Sequence, residues 1–151
     1  MNIATRYSGG LAAVIAAAIG SSVLTFLALL ASGWIGPPTG RDVPLQIAVI
    51  LSIVFLWGPA FAMVPASILG FLIERPLSRH FIARGHGGFV EHLLAVVGAA
   101  LLLWLFLRVV VVVTGPQTRI VDPLSLAVFA IIGFCSALSW WIMVVLPARR
   151  A

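Results

Sequence analysis

Residues 90–113 have the sequence VEHLLAVVGAALLLWLFLRVVVVV, in which Arg108 is the only charge beyond the first two positions. A hydrocarbon core about 30 Å thick is crossed by about 20 helical residues, so this stretch can span a membrane. Three further apolar stretches of similar length lie at about 11–32, 47–73 and 124–146. The sequence therefore predicts an all-α integral membrane protein with four transmembrane helices.

The composition of the chain supports the same class. Hydrophobic residues make up 62% of it and charged residues only 9%, whereas soluble domains carry about 25% charged residues. A water-soluble protein of this size could not cover so much apolar surface without lipid. The length of 151 residues predicts one transmembrane domain over 1–151, with no separate soluble module.

The basic residues restrict the classes of partner. The net charge is +5 and all nine basic residues are Arg, but they form no stripe or dense cluster of the kind that binds nucleic acid. They lie instead at the ends of the apolar stretches, so the expected partner is the lipid bilayer. The use of Arg without Lys is typical of a GC-rich bacterial genome, which points to the bacterial cytoplasmic (inner) membrane.

The distribution of Arg predicts the orientation. Six Arg flank one side of the predicted helices, and they are Arg6, Arg75, Arg79, Arg84, Arg149 and Arg150. The opposite side has only Arg41 and Arg119. Because positive residues are retained in the cytoplasm during insertion, both termini are expected there. The four helices then form two N-in helical hairpins in an up-down bundle.

The two outer connections resemble one another. Gly36-Pro37-Pro38-Thr39 precedes Pro44 at the same spacing as Gly115-Pro116-Gln117-Thr118 precedes Pro123. This similarity suggests that the hairpins are a parallel repeat that arose by duplication. Convergence is the alternative, because Gly and Pro are common in any tight connection between helices.

Small residues recur at helical spacing in the first two helices. The repeats are Ala12, Ala16 and Gly20 in the first helix, and Ala62, Ala66 and Gly70 in the second. Helices in lipid associate through such small residues, because these let two backbones approach closely. The first helix has more of them than one neighbour requires, which suggests a second interface with another membrane subunit or with a second copy.

Pro59 and Pro65 interrupt the second apolar stretch. Each proline removes a helical hydrogen bond, which predicts either a structural kink or, as in transporters, a broken helix whose backbone binds a substrate. Arg108, the one charge deep in an apolar stretch, lies near the outer end of the third helix. It can reach lipid headgroups, or pair with a partner subunit, a lipid phosphate or an anionic ligand.

The connection between the second and third stretches is the most polar part of the chain. Its ionisable residues are Glu74, Arg75, Arg79, His80, Arg84, His86, Glu91 and His92. We expect a solvated amphipathic segment whose Arg75, Arg79 and Arg84 bind anionic headgroups. The alternative is a metal or proton-handling site, and its candidate residues are His80, His86, Glu91 and His92.

Tryptophans near the predicted membrane boundaries suggest interfacial belts. Trp140 and Trp141 are expected at the inner boundary, whereas Trp57 and Trp104 lie deeper, in the core or against lipid.

Several kinds of chemistry find no support in the sequence. Cys135 is the only cysteine, which excludes an intramolecular disulfide and predicts a buried apolar filler. Only His92 approaches membrane depth, so a haem is not expected. The serines in the apolar stretches have no nearby His or acid, and no cofactor is expected.

Three functional hypotheses remain open. The preferred one is a non-enzymatic accessory or structural subunit that packs within a larger membrane complex. The second is a protomer of a small oligomeric transporter or channel. The third is a membrane enzyme or metal site that uses the His and Glu residues of the cytoplasmic connection.

Overall fold

The computed structural model describes residues 3–33, 35–36, 38, 40, 42–84, 88–114 and 123–150, with the side chains of 3–8, 81, 84, 114 and 150 excepted. Within these residues every element of secondary structure is a helix, and there is no strand. We number the helices in chain order. They are α1 (Ile3–Ala31), α2 (43–84), α3 (Phe89–Thr114) and α4 (123–150).

Each of the four helices contains a segment that is long and apolar enough to cross a membrane. The segments are Gly9–Ala31, Val43–His80, Phe89–Val113 and Pro123–Arg149. The prediction of a multi-pass, all-helical membrane protein is therefore confirmed. The polar connection after the second apolar stretch differs from the prediction, since most of it belongs to α2, which continues to residue 84.

The segment in α2 has 38 residues, which at 1.5 Å per residue extends for about 57 Å. That is nearly twice the thickness of a hydrocarbon core. A helix of this length must tilt, bend or extend beyond the bilayer.

Three wide turns of π-helix interrupt the α-helical geometry. They lie at Ile53–Trp57 and Leu69–Glu74 in α2 and at Trp141–Val145 in α4. Each ends two residues before a proline, and these prolines are Pro59, Pro76 and Pro147. A proline ring clashes with the carbonyl four residues earlier and donates no hydrogen bond, and a wider turn relieves that clash. Pro59 therefore widens α2 without interrupting it, and Pro65 lies inside the α-helical segment Gly58–Ile68.

The helices pack unequally. α1 contacts α2 and α4, and α4 contacts α3, whereas α2 contacts α3 mainly through the wide turn Leu69–Glu74. α1 and α4 run in opposite directions, because Gly9 lies next to Met143 and Gly20 next to Cys135. Cys135 is buried, as the sequence predicted.

Close contacts through glycine hold the bundle together. A Cβ atom at Gly133 in α4 would lie 2.8 Å from Cβ of Ala100 and 3.1 Å from Cα of Val97 in α3. A Cβ atom at Gly70 would lie 2.7 Å from Cγ2 of Val14. Real Cβ atoms do not approach other atoms within 3.0 Å, so a side chain at either glycine would force its neighbour to move, and the small residues permit close helix approach. Nearer the other end, Nε1–H of Trp104, which is buried, donates to Oγ of Ser125 at 3.0 Å.

The small residues of α2 and α1 differ in burial. Ala62, Ala66 and Gly70 of α2 are buried. Ala12 is exposed and Ala16 and Gly20 are only half-buried. The buried stripe of α1 is the adjacent one, formed by Gly10, Ala13, Val14, Ala17, Ala18 and Ser21. The buried stripe differs from the predicted row because α1 lies between α2 and α4. A helix face that contacts two neighbours is wider than one row of residues.

Candidate functional site: a buried glutamate–histidine pair

Two of the ionisable residues from the polar connection meet inside the bundle. Nε2 of His92 in α3 lies 2.8 Å from Oε2 of Glu74 in α2, and both side chains are 0% exposed. The solvated segment expected here is therefore wrong for these two residues. We call Glu74 and His92 the buried pair.

Local structure explains how each side chain turns inward. Glu74 is the last residue of the wide turn that precedes Pro76, so its position depends on the extra residue in that turn. His92 lies in the first turn of α3, where its N–H points to the carbonyl oxygen of Gly88 at 3.4 Å. Because successive residues are about 100° apart around a helix, the preceding Glu91 is exposed while His92 is buried.

The aromatic ring of Trp141 in α4 lies next to the buried pair. The ring of Trp141 lies 5.3 Å from the His92 ring and 5.7 Å from the ring of Phe89. The guanidinium carbon of Arg149 lies 4.9 Å from the Trp141 ring. Trp141 begins the wide turn of α4, so two of the three proline-linked turns contribute a residue to this site.

Trp140 and Trp141 correct a sequence-based expectation. They were expected in an interfacial belt, but they are only 4% and 9% exposed. Trp140 lies against Gly10 of α1 and Gly70 of α2. The rings fill the space that these glycines leave, so they belong to the core. Trp57, by contrast, is 57% exposed.

The surroundings limit what the buried pair can do chemically. A single charge buried away from water is costly, and an opposite charge or a proton removes that cost. Oε1 of Glu74 is buried and has no hydrogen-bond partner within the described part of the chain. The site can hold a proton, but a substrate has no access to it. Among the described residues, no group of three or more His, Cys, Asp or Glu could hold a metal ion.

The other candidates from the polar connection do not join the buried pair. His80, Glu91 and Arg79 are exposed, and Arg75 is half-buried. His86 and the side chain of Arg84 lie outside the described residues. Arg108 is half-buried and lies 16 positions after His92, about 24 Å along α3.

The backbone carbonyl group that Pro59 leaves without a helical donor is hydrogen-bonded inside the bundle. The N–H of Gly58 donates to the carbonyl oxygen of Ile53. The carbonyl of Val54 would next accept from residue 59, but proline has no N–H. The hydroxyl of Ser22 in α1 donates to that carbonyl oxygen at 2.7 Å. This hydrogen bond occupies the backbone group that a substrate or ion would need, which supports the interpretation of a structural kink.

We expect Ser22→Ala to destabilise the protein by about 1–3 kcal/mol, because it leaves a carbonyl oxygen unsatisfied away from water. Ser52→Ala is the matched control, since Ser52 is exposed and bonds only to the Ala48 carbonyl of its own helix. Unfolding of both variants in bicelles would measure the difference. Equal stability of the two variants would contradict the assignment of Ser22 as the partner of Val54.

An open cleft and a shallow groove lie away from the buried pair. The cleft, about 540 Å³, lies between α1, α2 and α4 and includes Ser22, Gly58 and Phe129. Close packing of Gly70, Val14 and Trp140 lies between the cleft and Glu74. The groove, about 650 Å³, lies along α3 and includes Ala95, Gly98 and Leu102.

Comparisons with models of known protein families, with curated proteins and with solved structures find no match for this chain.

Proposed function

We propose that this protein is a small, non-enzymatic subunit of the bacterial cytoplasmic membrane that packs against the helices of other membrane chains. The observation that carries the proposal is the groove on α3. One side of α3 packs closely on α4 through Gly133, whereas the groove is open and is lined by α3 together with one residue of α4, Leu126.

Gly98 in the floor of the groove is the most informative residue. A Cβ atom at Gly98 would meet nothing within 4 Å, in contrast to Gly58, Gly70 and Gly133. Glycine inside a helix costs about 0.5–1 kcal/mol relative to alanine. No described contact within the chain benefits from its missing side chain. A transmembrane helix of a partner would benefit, because small residues allow close helix approach in lipid.

The two alternative functions have weaker support. Transport by one copy would require a path along the bundle, but Val14, Leu69 and Trp140 fill the core between the cleft and Glu74. An enzyme that used the buried pair would need a substrate to reach it, and both side chains are fully enclosed. Exposed His80 and Glu91 do not join the pair. A transporter built from several copies remains as an outcome of the experiment below.

The proposal includes an orientation and a lipid contact. The concentration of Arg at one end supports a cytoplasmic position of both termini, which proteolysis of terminal tags in spheroplasts would test. Exposed Arg79 and half-buried Arg75 support a contact with anionic headgroups at that end. Native mass spectrometry should show fewer retained anionic lipids after Arg75→Gln and Arg79→Gln, and unchanged retention would contradict this contact.

Gly98→Leu tests the groove as a docking surface. The chain, extracted in mild detergent, should co-purify with a partner at fixed stoichiometry, and the variant should reduce that recovery at least tenfold, equivalent to about 1.4 kcal/mol. Ala60→Leu is the matched control, because Ala60 is exposed near the middle of α2. It should leave recovery unchanged.

Three outcomes would count against the proposal. A wild-type chain that is always monomeric would exclude a stable partner. Equal loss in both variants would show that the effect is not specific to the groove. Assembly with only a second copy, together with solute flux in proteoliposomes, would favour the transporter.

A further inference from the structure

We propose that Glu74 and His92 form one proton-binding site, and that the bound proton holds α2 against α3 at the Arg-rich end of the bundle. This inference concerns the interior of the chain and does not depend on the proposed role as a subunit. It rests on the position of the buried pair, the state of its oxygen atoms and the charges around it.

The position of the buried pair makes it a connection between two helices. α2 and α3 contact each other mainly at Leu69–Glu74, and the 2.8 Å contact from Glu74 to His92 lies at the end of that turn. The remaining length of α3 packs on α4 instead. A change in the attraction between these two side chains therefore acts on most of the direct contact between α2 and α3.

The number of protons decides the net charge in this enclosed space. With no proton on either group, carboxylate and neutral imidazole carry a net charge of −1. Uptake of one proton from water gives carboxylate with imidazolium, or carboxylic acid with imidazole, and both are neutral overall. A second proton gives +1. Because a net charge is disfavoured away from water, the one-proton state is the most compatible with full burial.

The oxygen atoms of Glu74 are consistent with a site that takes up a proton. Oε1 is buried and accepts no hydrogen bond from the described residues, so nothing described there stabilises a permanently charged carboxylate at that atom. Oε2 lies 2.8 Å from Nε2 of His92, but it too accepts no hydrogen bond from the described residues. Both oxygens are therefore without the hydrogen bonds that would stabilise a permanent negative charge.

α2, α3 and α4 each contribute a charged residue near the buried pair. In α2 the next residue is Arg75, half-buried, and in α3 the preceding residue is Glu91, exposed. α4 contributes Arg149, which stacks on Trp141. The described side chains of α1, at 9–31, include no titratable group. Arg75 and Arg149 favour a negative pair, so they lower the cost of losing the proton.

The number of bound protons predicts how the contact between α2 and α3 changes with pH. Two ionisable groups in contact bind and release protons as a unit. While the buried pair holds one proton it is neutral overall, and α2 stays against α3. Loss of that proton on raising the pH makes the net charge −1, and the contact between the two helices loosens.

Isotope labelling can observe this site without changing it. Glu74 and Glu91 are the only glutamates, and the histidines are His80, His86 and His92. In a Glu91→Gln, His80→Gln, His86→Gln variant, ¹³C-labelled Glu and ¹⁵N-labelled His therefore report on the buried pair alone. We expect the Glu74 carboxyl and His92 ring signals in lipid bilayers to shift together, with one common midpoint, as the pH is raised. Separate midpoints, or no shift at any pH at which the protein stays folded, would overturn the proposal.

A distance measurement tests the effect on the helices. Spin labels at Leu72 and Leu94, which are exposed beside the buried pair, would be placed in a Cys135→Ala background. The labelled positions should move apart as the pH rises through the same midpoint, and Glu74→Gln should abolish that pH dependence. Glu91→Gln is the matched control and should retain it. A distance that is constant with pH, or a pH dependence that survives Glu74→Gln, would overturn the proposal. If Glu74→Gln fails to fold, the isotope-labelled variant still tests the proposal, because it keeps both Glu74 and His92.

Discussion

Glu74→Ala should destabilise the protein more than any other single truncation of an ionisable side chain described here. Both members of the buried pair are 0% exposed, and breaking a buried pair by removing one partner typically costs about 3–5 kcal/mol. The loss combines an uncompensated imidazole with a cavity beside Trp141. Unfolding of the purified chain in bicelles, by titration with a denaturing detergent, would measure it.

Glu91, the residue before His92, supplies the control. It comes from the same polar connection as Glu74 but is exposed, so Glu91→Ala should change the stability by no more than about 0.5 kcal/mol. Glu74→Gln should lie between the two, since an amide keeps the volume and a hydrogen-bonding oxygen. Equal effects of Glu74→Ala and Glu91→Ala would show that Glu74 is not buried against His92.

Gly133→Ala should also be strongly destabilising, although it adds only one methyl group. The new Cβ would lie 2.8 Å from Cβ of Ala100 and 3.1 Å from Cα of Val97. The second of these atoms is backbone and cannot rotate away. Overpacking of this kind costs about 1–3 kcal/mol, and the same unfolding titration would detect it.

Gly98→Ala in α3 is the matched control, and its effect on the stability should have the opposite sign. The change in helix propensity is the same, about 0.5–1 kcal/mol in favour of alanine, but nothing lies within 4 Å of the new atom. The isolated chain should therefore become slightly more stable. If Gly133→Ala and Gly98→Ala both stabilise the protein, α3 and α4 do not approach as closely as described.

The sequence predicted those features that depend on the character of single stretches. Four apolar stretches gave four helices, because length and hydropathy alone decide whether a helix can cross a bilayer. Ala62, Ala66 and Gly70, which recur at helical spacing, are buried, and α2 packs on α1.

The features that the sequence did not predict depend on contacts between distant residues. Hydropathy placed the end of the second helix at residue 73, directly before the first charge, and so assigned Glu74 to a solvated segment. Glu74 is instead buried by a partner 18 positions later, and no periodicity within α2 reveals that partner. A signal was present in the three prolines, Pro59, Pro76 and Pro147, each of which follows a wide turn. Two of these turns supply Glu74 and Trp141 to the site.

Both the proton site and the largest expected loss of stability require that Glu74 and His92 are in contact within the membrane-embedded protein. The most direct measurement is the dipolar coupling between the ¹³C-labelled carboxyl of Glu74 and the ¹⁵N-labelled ring of His92 in lipid bilayers. A 2.8 Å contact between Oε2 and Nε2 should give a strong coupling and slow exchange of the ring proton with water. The absence of coupling, with both groups in rapid exchange with water, would contradict the buried pair.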